Sequence, residues 1–288
     1  MTSKNESAPL RRSLLFVPAI RPDRYAKALA TGADAVCIDL EDGVGDAFKS
    51  EARLNALDLL STRTATKAEV SIRINDAKSD LGQQDLGMLV ESGHRPDAVM
   101  LPKVAGVDEI EQVETTLKRL GEPVSLIVQI ETLQGLMSVN DIAGASPGIS
   151  AIFFGAIDLA SELGCAVEWE SLLYARSQVL LAAAQAGVIA IDSPFLNVQA
   201  PEALAEESAK VRRLGYVGKA AIHPLQVPII NEQFSPSPQE IGWAKKIISA
   251  YDKNQGGVLL VEGQLIERPV IRSAQRILQA VALLDEKE

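Results

Sequence analysis

Eight short apolar runs, each four or five residues long and each followed by a longer segment, constrain this chain more than any other feature. They fall at residues 13–17, 35–38, 70–74, 98–101, 126–130, 151–154, 188–191 and 219–222. Their β-branched and aliphatic make-up reads as strand. Segments between them, such as 48–60, 107–120 and 172–185, repeat their apolar residues every three or four positions, as amphipathic helices do. Strand and helix alternating in this way imply parallel pairing with right-handed crossovers. A closed (β/α)₈ TIM barrel is the natural solution, with an open doubly wound sheet as the alternative. The 288 residues suit one such barrel, which typically needs about 250.

The barrel is expected to occupy residues 1–230, and residues 231–288 a C-terminal helical extension serving as a lid or an oligomer arm. That tail has a connector with Pro236 and Pro238, a helix at about 239–251, then Asn254-Gln255-Gly256-Gly257 and a final helix. Gly256 and Gly257 offer a permissive turn. The plainer alternative is that the tail covers the barrel's outer wall.

With 28 Lys and Arg against 38 Asp and Glu, the net charge of −10 argues against nucleic acid and anionic membrane as partners. No run approaches the roughly 20 apolar residues of a membrane span. Arg11 and Arg12 precede residues 14–17 faintly as in a signal peptide, but Pro18 and Arg21 cut the apolar run short. A cytoplasmic location is expected. Cys37 and Cys165 lack Cys-x-x-Cys spacing and read as small core hydrophobes.

In such barrels the reactive groups sit at the C-terminal ends of the strands. Here those positions carry Asp39, Glu41 and Asp42, then Arg73 and Asn75, Lys103, Glu131, Asp158, Asp192 and His223. Singly, Asp39 or Asp192 could cap a helix and Lys103 could be a solvated charge. Together, unpaired charges converging on one face would be desolvated without compensation. Glu131 and Asp158, from neighbouring strands, suit a hard divalent cation: Mg²⁺ takes one or two protein carboxylates and leaves positions for water and substrate oxygens. Asp39, Glu41 and Asp42 would then hold metal-bound waters. Only two histidines exist, His94 and His223, which argues against a His-based zinc site. No G-x-S-x-G or P-loop occurs, and Gly43-Val44-Gly45 does not continue into the dinucleotide pattern.

Several blocks resemble the citrate lyase β-subunit-like (HpcH/HpaI aldolase/citrate lyase) family, which includes malyl-CoA and citramalyl-CoA lyases. They are Arg11-Arg12-Ser13-Leu14-Leu15-Phe16-Val17-Pro18, Asp39-Leu40-Glu41-Asp42-Gly43-Val44 with Lys49 and Arg53, Ile72-Arg73-Ile74-Asn75, Leu101-Pro102-Lys103, Gln129-Ile130-Glu131-Thr132, Phe154-Gly155-Ala156-Ile157-Asp158-Leu159 and Gly218-Lys219-Ala220-Ala221-Ile222-His223-Pro224. The resemblance spans nearly the whole chain. It implies a (β/α)₈ barrel in homotrimers or dimers of trimers, running Claisen-type chemistry on acyl-CoA thioesters and 2-oxo acids. It assigns Mg²⁺ to Glu131 and Asp158 and the oxo-acid or hydroxy-acid substrate to Arg73, with Glu131 beside it. Phe16, Arg24, Ile222 and His223 fall where the family contacts coenzyme A or substrate. The acid/base group it implies is an Asp in a C-terminal segment reaching into a neighbouring subunit. Here that segment reads Gly263-Gln264-Leu265-Ile266-Glu267, so Glu267 replaces the Asp. Ala19 stands where Gly is usual, and Ser161-Glu162-Leu163-Gly164 stands where an Asp is common.

The function implied is Mg²⁺-dependent cleavage or formation of a 3-hydroxyacyl-CoA, such as malyl-CoA or citramalyl-CoA, to and from acetyl-CoA and a 2-oxo acid. Two rivals share the scaffold. A thioesterase would release a hydroxy acid in place of a keto acid, and a non-catalytic citrate lyase-like subunit would release neither.

Overall fold

The structure is a computed structural model that describes residues 10–254 and 259–285. Gly256 and Gly257, read as a permissive turn, lie outside the described residues. Among the described residues eight parallel strands close into a barrel in sequence order: β1 (Ser13–Pro18), β2 (Ala35–Asp39), β3 (Glu69–Arg73), β4 (Ala98–Leu101), β5 (Ser125–Ile130), β6 (Ile149–Phe154), β7 (Ile189–Asp192) and β8 (Gly218–Ala221). Parallel pairing of Ser13 with Lys219 and of Leu15 with Ala221 seals β1 against β8. The closed barrel is the observed solution, and the open doubly wound sheet is excluded.

Side chains alternate across each strand, and the barrel interior is filled by one parity. Leu14, Ala35, Cys37, Ala98, Met100, Ile127, Ala151, Phe153, Ile189, Ile191 and Ala220 form a single buried cluster, with Phe16 packed on it. Cys37 belongs to this core, whereas Cys165 is only partly covered.

Around the strands run α1 (Tyr25–Leu29), α2 (Lys49–Thr62), α3 (Asp80–Ser92), α4 (Val107–Leu117), α5 (Leu133–Met137), α6 (Val139–Gly144), α7 (Ala156–Leu163), α8 (Trp169–Ala186), α9 (Pro201–Leu214) and α10 (Gln226–Phe234). Local chemistry fixes their starts. Ser79 accepts from the Gly82 amide at the head of α3, and Thr132 accepts from the Gly135 amide at the head of α5, each at 3.0 Å.

The chain divides into two compact units between Gln233 and Phe234. The second holds α11 (Pro238–Lys253), a two-stranded antiparallel hairpin of β9 (Leu259–Val261) and β10 (Gln264–Ile266), and α12 (Arg268–Asp285). Ser237 and Glu240 close a capping box on α11, with Pro238 in the first turn. Ala244, Ile247, Ile266, Ile271 and Ala274 form this unit's own core. The hairpin is a departure from the sequence reading, which passes from the Gly pair straight to a helix. Its turn is made by Glu262 and Gly263, both at positive φ (50° and 79°), the conformation short hairpin turns require. No described helix is long and apolar enough to cross a membrane.

Candidate active site at the carboxyl ends of the strands

Continuing the inward parity past the filled layers brings the chemistry to one place. Asp39, Gln129, Glu131, Gly155, Ser193 and Ile222 are each one or two pleats beyond a residue of that cluster on the same strand, Arg73 is one pleat beyond the buried Ser71, and all line one cavity of about 590 Å³. Phe16, Arg24, Asp158 and His223 line it too. All the barrel residues expected at a substrate or metal site therefore share a single chamber.

Arg73 is its most constrained cation. Nε and Nη2 donate to the two carboxylate oxygens of Asp39, each at 2.7 Å, and Nη1 lies 3.0 Å from Glu41. The guanidinium also stacks 4.8 Å above the Phe16 ring, which itself meets Phe153 edge-on at 5.9 Å. Burial opposes the charge on Arg73, but Asp39 and Glu41 outweigh it and raise its pKa. Asp39 also accepts from the amides of Glu41 and Gly43, each at 2.9 Å. A Cβ at Gly43 would stand 2.5 Å from Asp39 Oδ2, so only glycine admits this close approach. Asp39 thus pairs with Arg73, Glu41 pairs with Arg73 and with the Lys103 ammonium at 2.6 Å, and Asp42 is exposed.

The loop carrying these acids is anchored from below. Lys49, buried, donates to the carbonyls of Leu40 and Glu41 at 2.8 and 2.7 Å and to Asn75 at 2.7 Å. Asn75 in turn donates to Asp85, which pairs with Arg53 at 3.1 Å. Asn75, expected among the strand-end polar groups, is thus a buried support outside the cavity lining.

Glu131 is 1% exposed. Its Oε1 accepts from the Lys103 amide at 2.9 Å, and its Oε2 accepts from the Gln129 side chain. Lys103 reaches this pose in the left-handed region, φ 56°, a conformation that costs a non-glycine residue of order 1 kcal/mol and persists where the surroundings hold it. Burial, reinforced by the charges of Glu41 and Asp158, pushes the Glu131 carboxyl up to about 8. Asp158 stands in the first turn of α7, half-buried.

Gly155, between β6 and α7, makes room for Glu131. A Cβ there would lie 2.4 Å from the Glu131 Cβ and 2.8 Å from Oε2. Gly155→Ala is expected to push Glu131 off its two donors and lower catalytic turnover by about 10²-fold, the order of effect of a displacement near 1 Å. Steady-state kinetics beside a melting curve checks this: a folded variant with wild-type turnover would contradict it.

Asp192 lies elsewhere. It follows the inward Ile191, so its side chain points outward, fully buried, to Arg176 at 2.9 Å and Lys219 at 2.6 Å. Burial pushes its carboxyl up, but Lys219 and Arg176 outweigh this and hold it below its ordinary value. This network pins the ends of β7 and β8, whose next inward residues, Ser193 and Ile222, line the cavity. Glu267 belongs to the second unit, exposed, just before α12, its carbonyl accepting from the amides of Val270 and Ile271 at 3.0 and 3.2 Å. Gln129, Gly155, Ser193 and Lys27 also line the cavity and were not singled out from the sequence as site residues.

The sequence profile of the HpcH/HpaI aldolase/citrate lyase family matches residues 12–224. The chain belongs to that family. The matched stretch contains every barrel strand and every cavity residue named above, and ends before Glu267. Human mitochondrial citramalyl-CoA lyase is 31% identical over 96% of this chain and 87% of its own length. The L-malyl-CoA/β-methylmalyl-CoA lyase of Cereibacter sphaeroides is 31% identical over 95% of each chain. Among solved structures, the protein CitE from Mycobacterium tuberculosis, in complex with magnesium, acetoacetate and coenzyme A, superposes with a TM-score of 0.80 at 31% identity, over 96% of this chain and 99% of that one. By class this family member is a carbon–carbon lyase.

Proposed function

We propose that this chain is a cytoplasmic, magnesium-dependent carbon–carbon lyase that cleaves or forms a 3-hydroxyacyl-CoA of the malyl or citramalyl type, with acetyl-CoA and a 2-oxo acid as the other side of the reaction, and that it works as a homotrimer or dimer of trimers. The observation that carries this reading is the pair Glu131 and Asp158 on the wall of one cavity with Arg73, the first of them buried where like charges oppose its ionised form.

Such a carboxylate gains from a cation. Among the described residues no three His, Cys, Asp or Glu side chains gather into a metal cage. Two carboxylates with open positions suit magnesium, which keeps water and substrate oxygens in its shell. Glu131 and Asp158 would hold it. When bound it supplies Lewis-acid polarisation of the oxygen that becomes the keto group.

The chain's own residues do the rest. A guanidinium has five N–H donors. Asp39 takes two on Arg73 and Glu41 forms an ion pair at Nη1, which leaves N–H donors on both terminal nitrogens for a substrate carboxylate. Because Phe16 and Asp39 fix the plane of Arg73, its positive charge needs no rearrangement when negative charge develops nearby. The Lys103 amide and Gln129 hold both oxygens of Glu131 in place. Arg24 and Lys27 are exposed cations suited to the phosphates of coenzyme A, with Ile222 and His223 on the loop after β8, the strand that pairs with β1. Glu267, donated by a neighbouring subunit, would exchange the proton at the enolate carbon.

The test is a panel of malyl-, citramalyl- and related CoA thioesters with magnesium. Release of glyoxylate or pyruvate together with acetyl-CoA supports the lyase. Release of the intact hydroxy acid would mean a thioesterase, and no product from any member a non-catalytic subunit.

A pH effect follows from Glu131. With its folded pKa raised to about 8, the cation-free protein holds a proton there below that pH. Its stability contribution is full below about 4.5 and is lost as pH rises toward 8. Magnesium must displace the proton, so its apparent affinity is expected to rise about tenfold per pH unit up to about 8 and to level off above. Calorimetric titrations from pH 6 to 9 measure this, and a flat profile would rule it out.

A further inference from the structure

Gln129 occupies the cavity floor with only half of its amide used. It is the inward residue of β5 one pleat below Glu131, paired in register with Phe153, and 3% exposed. Its Nε2 donates to Glu131. With the cation held, Glu131 is ionised and only accepts, so the amide must turn its nitrogen to it and the oxygen is the end left over. That Oε1 is buried and has no hydrogen-bond partner among the described residues. Buried polar side-chain atoms are mostly partnered, and an orphan needs a reason. On a floor shared with Phe16 and Phe153, an apolar side chain of the same length would fill the space without stranding an acceptor. An acceptor with nothing to accept from, beside the cavity that Gln129 lines, matches a ligand that brings an O–H.

We infer that Gln129 is a specificity-determining residue: its Oε1 accepts the hydroxyl proton of a 2-hydroxy-acid group in the cavity and so favours that ligand over the matching 2-oxo acid. The inference rests on the lyase reading of the site and deepens it. The hydroxy and oxo forms of one acid place an oxygen on the same carbon and present the same carboxylate to Arg73. Only the hydroxy form carries a proton on that oxygen. A keto oxygen against Oε1 sets two acceptors face to face, so the same residue that holds the hydroxyl repels the keto product. In the cleavage direction this holds the reactant and eases departure of the 2-oxo acid. A magnesium-held water is the other possible O–H source near Glu131, but it would serve both acids alike.

The experiment compares lactate, as its better-bound enantiomer, with pyruvate, both at saturating magnesium, in the wild type and in Gln129→Met. Met keeps the length and removes both ends of the amide. Loss of the donor to Glu131 weakens both ligands together, so the readout is the ratio of the two dissociation constants. The preference for lactate over pyruvate is expected to fall about fivefold, the worth of one neutral hydrogen bond. A second variant, Gln129→Leu, should show the same shift and stands in if Met does not fold. A ratio unchanged within twofold, with both constants moving together, would overturn the inference and leave Gln129 as a prop for Glu131 or a partner of cation-held water. A wild type that binds both acids while the variant ratio stays fixed sinks this inference alone. A wild type that binds neither acid in magnesium sinks the lyase reading along with it.

Discussion

Replacing Glu131 by Gln is expected to lower turnover of the preferred thioester by at least about 10³-fold and to remove its dependence on magnesium, while the barrel stays as stable as before or becomes more so. The first half follows from the donor set. With one of two carboxylates gone, Asp158 alone must hold the cation, and Lewis-acid stabilisation of developing charge is worth several kcal/mol, about 1.4 for each decade of rate. The second half has the opposite sign. Ionised Glu131 is opposed by burial, by Glu41 and by Asp158, and a neutral amide of the same shape escapes all three. Its oxygen still accepts from the Lys103 amide, so the contact at 2.9 Å survives. The gain should be clearest above pH 8 without magnesium, where the wild type carries the full charge. Melting curves with and without magnesium, beside calorimetric magnesium titration, separate the two halves. A variant with wild-type magnesium affinity and turnover would remove Glu131 from the metal site, whatever its melting temperature.

The strands were legible because a barrel strand is covered on both faces and reads as a near-continuous apolar run. Each of the eight expected runs overlaps an observed strand, with ends displaced by no more than two residues. The polar groups that follow them were legible for the same reason, since a charge stands out after Val or Ile. What the pattern hides is parity. Asp192 and Glu131 look alike as acids at strand ends, yet Asp192 follows the inward Ile191 and so faces Arg176 and Lys219 outside the barrel. Glu131 shares the parity of Ile127 and faces in. Gln129 has that inward parity too, but it sits inside the run, where attention to strand ends passes over it. Pairing across distant strands was equally hidden. Asp39, Glu41, Arg73 and Lys103 were all visible, but nothing in their spacing says that Asp39 and Glu41 pair with Arg73. The hairpin of residues 259–266 escaped because three-residue strands are too short to show a period, although Glu262-Gly263 carries its turn.

Glu267→Gln is expected to reduce turnover by about 10² to 10⁴-fold, the usual worth of general acid–base catalysis, with magnesium affinity nearly unchanged. Gln keeps the size and the hydrogen-bonding capacity of Glu and removes only the titratable proton. Glu267 is exposed at the end of β10, so the substitution strands no buried partner and should leave the second unit's core intact. In the proposed reading this carboxylate would enter the active site of a neighbouring subunit, and activity would then depend on assembly. Arg73→Ala damages the barrel cavity and leaves the tail whole, while Glu267→Gln does the reverse. Each variant should be close to inactive alone. Mixed under conditions of subunit exchange, they should regain part of the wild-type rate, because some sites would combine an intact Arg73 with an intact Glu267 from the other variant. The longer Glu side chain bears on the same experiment: Glu267→Asp, one methylene shorter, should retain far more activity than Glu267→Gln, since it keeps the acid and shifts only its reach. No recovery on mixing, in oligomers shown to contain both variants, would place Glu267 in its own subunit's site or outside the chemistry. An unchanged rate in Glu267→Gln itself would leave the proton transfer to a residue of the barrel.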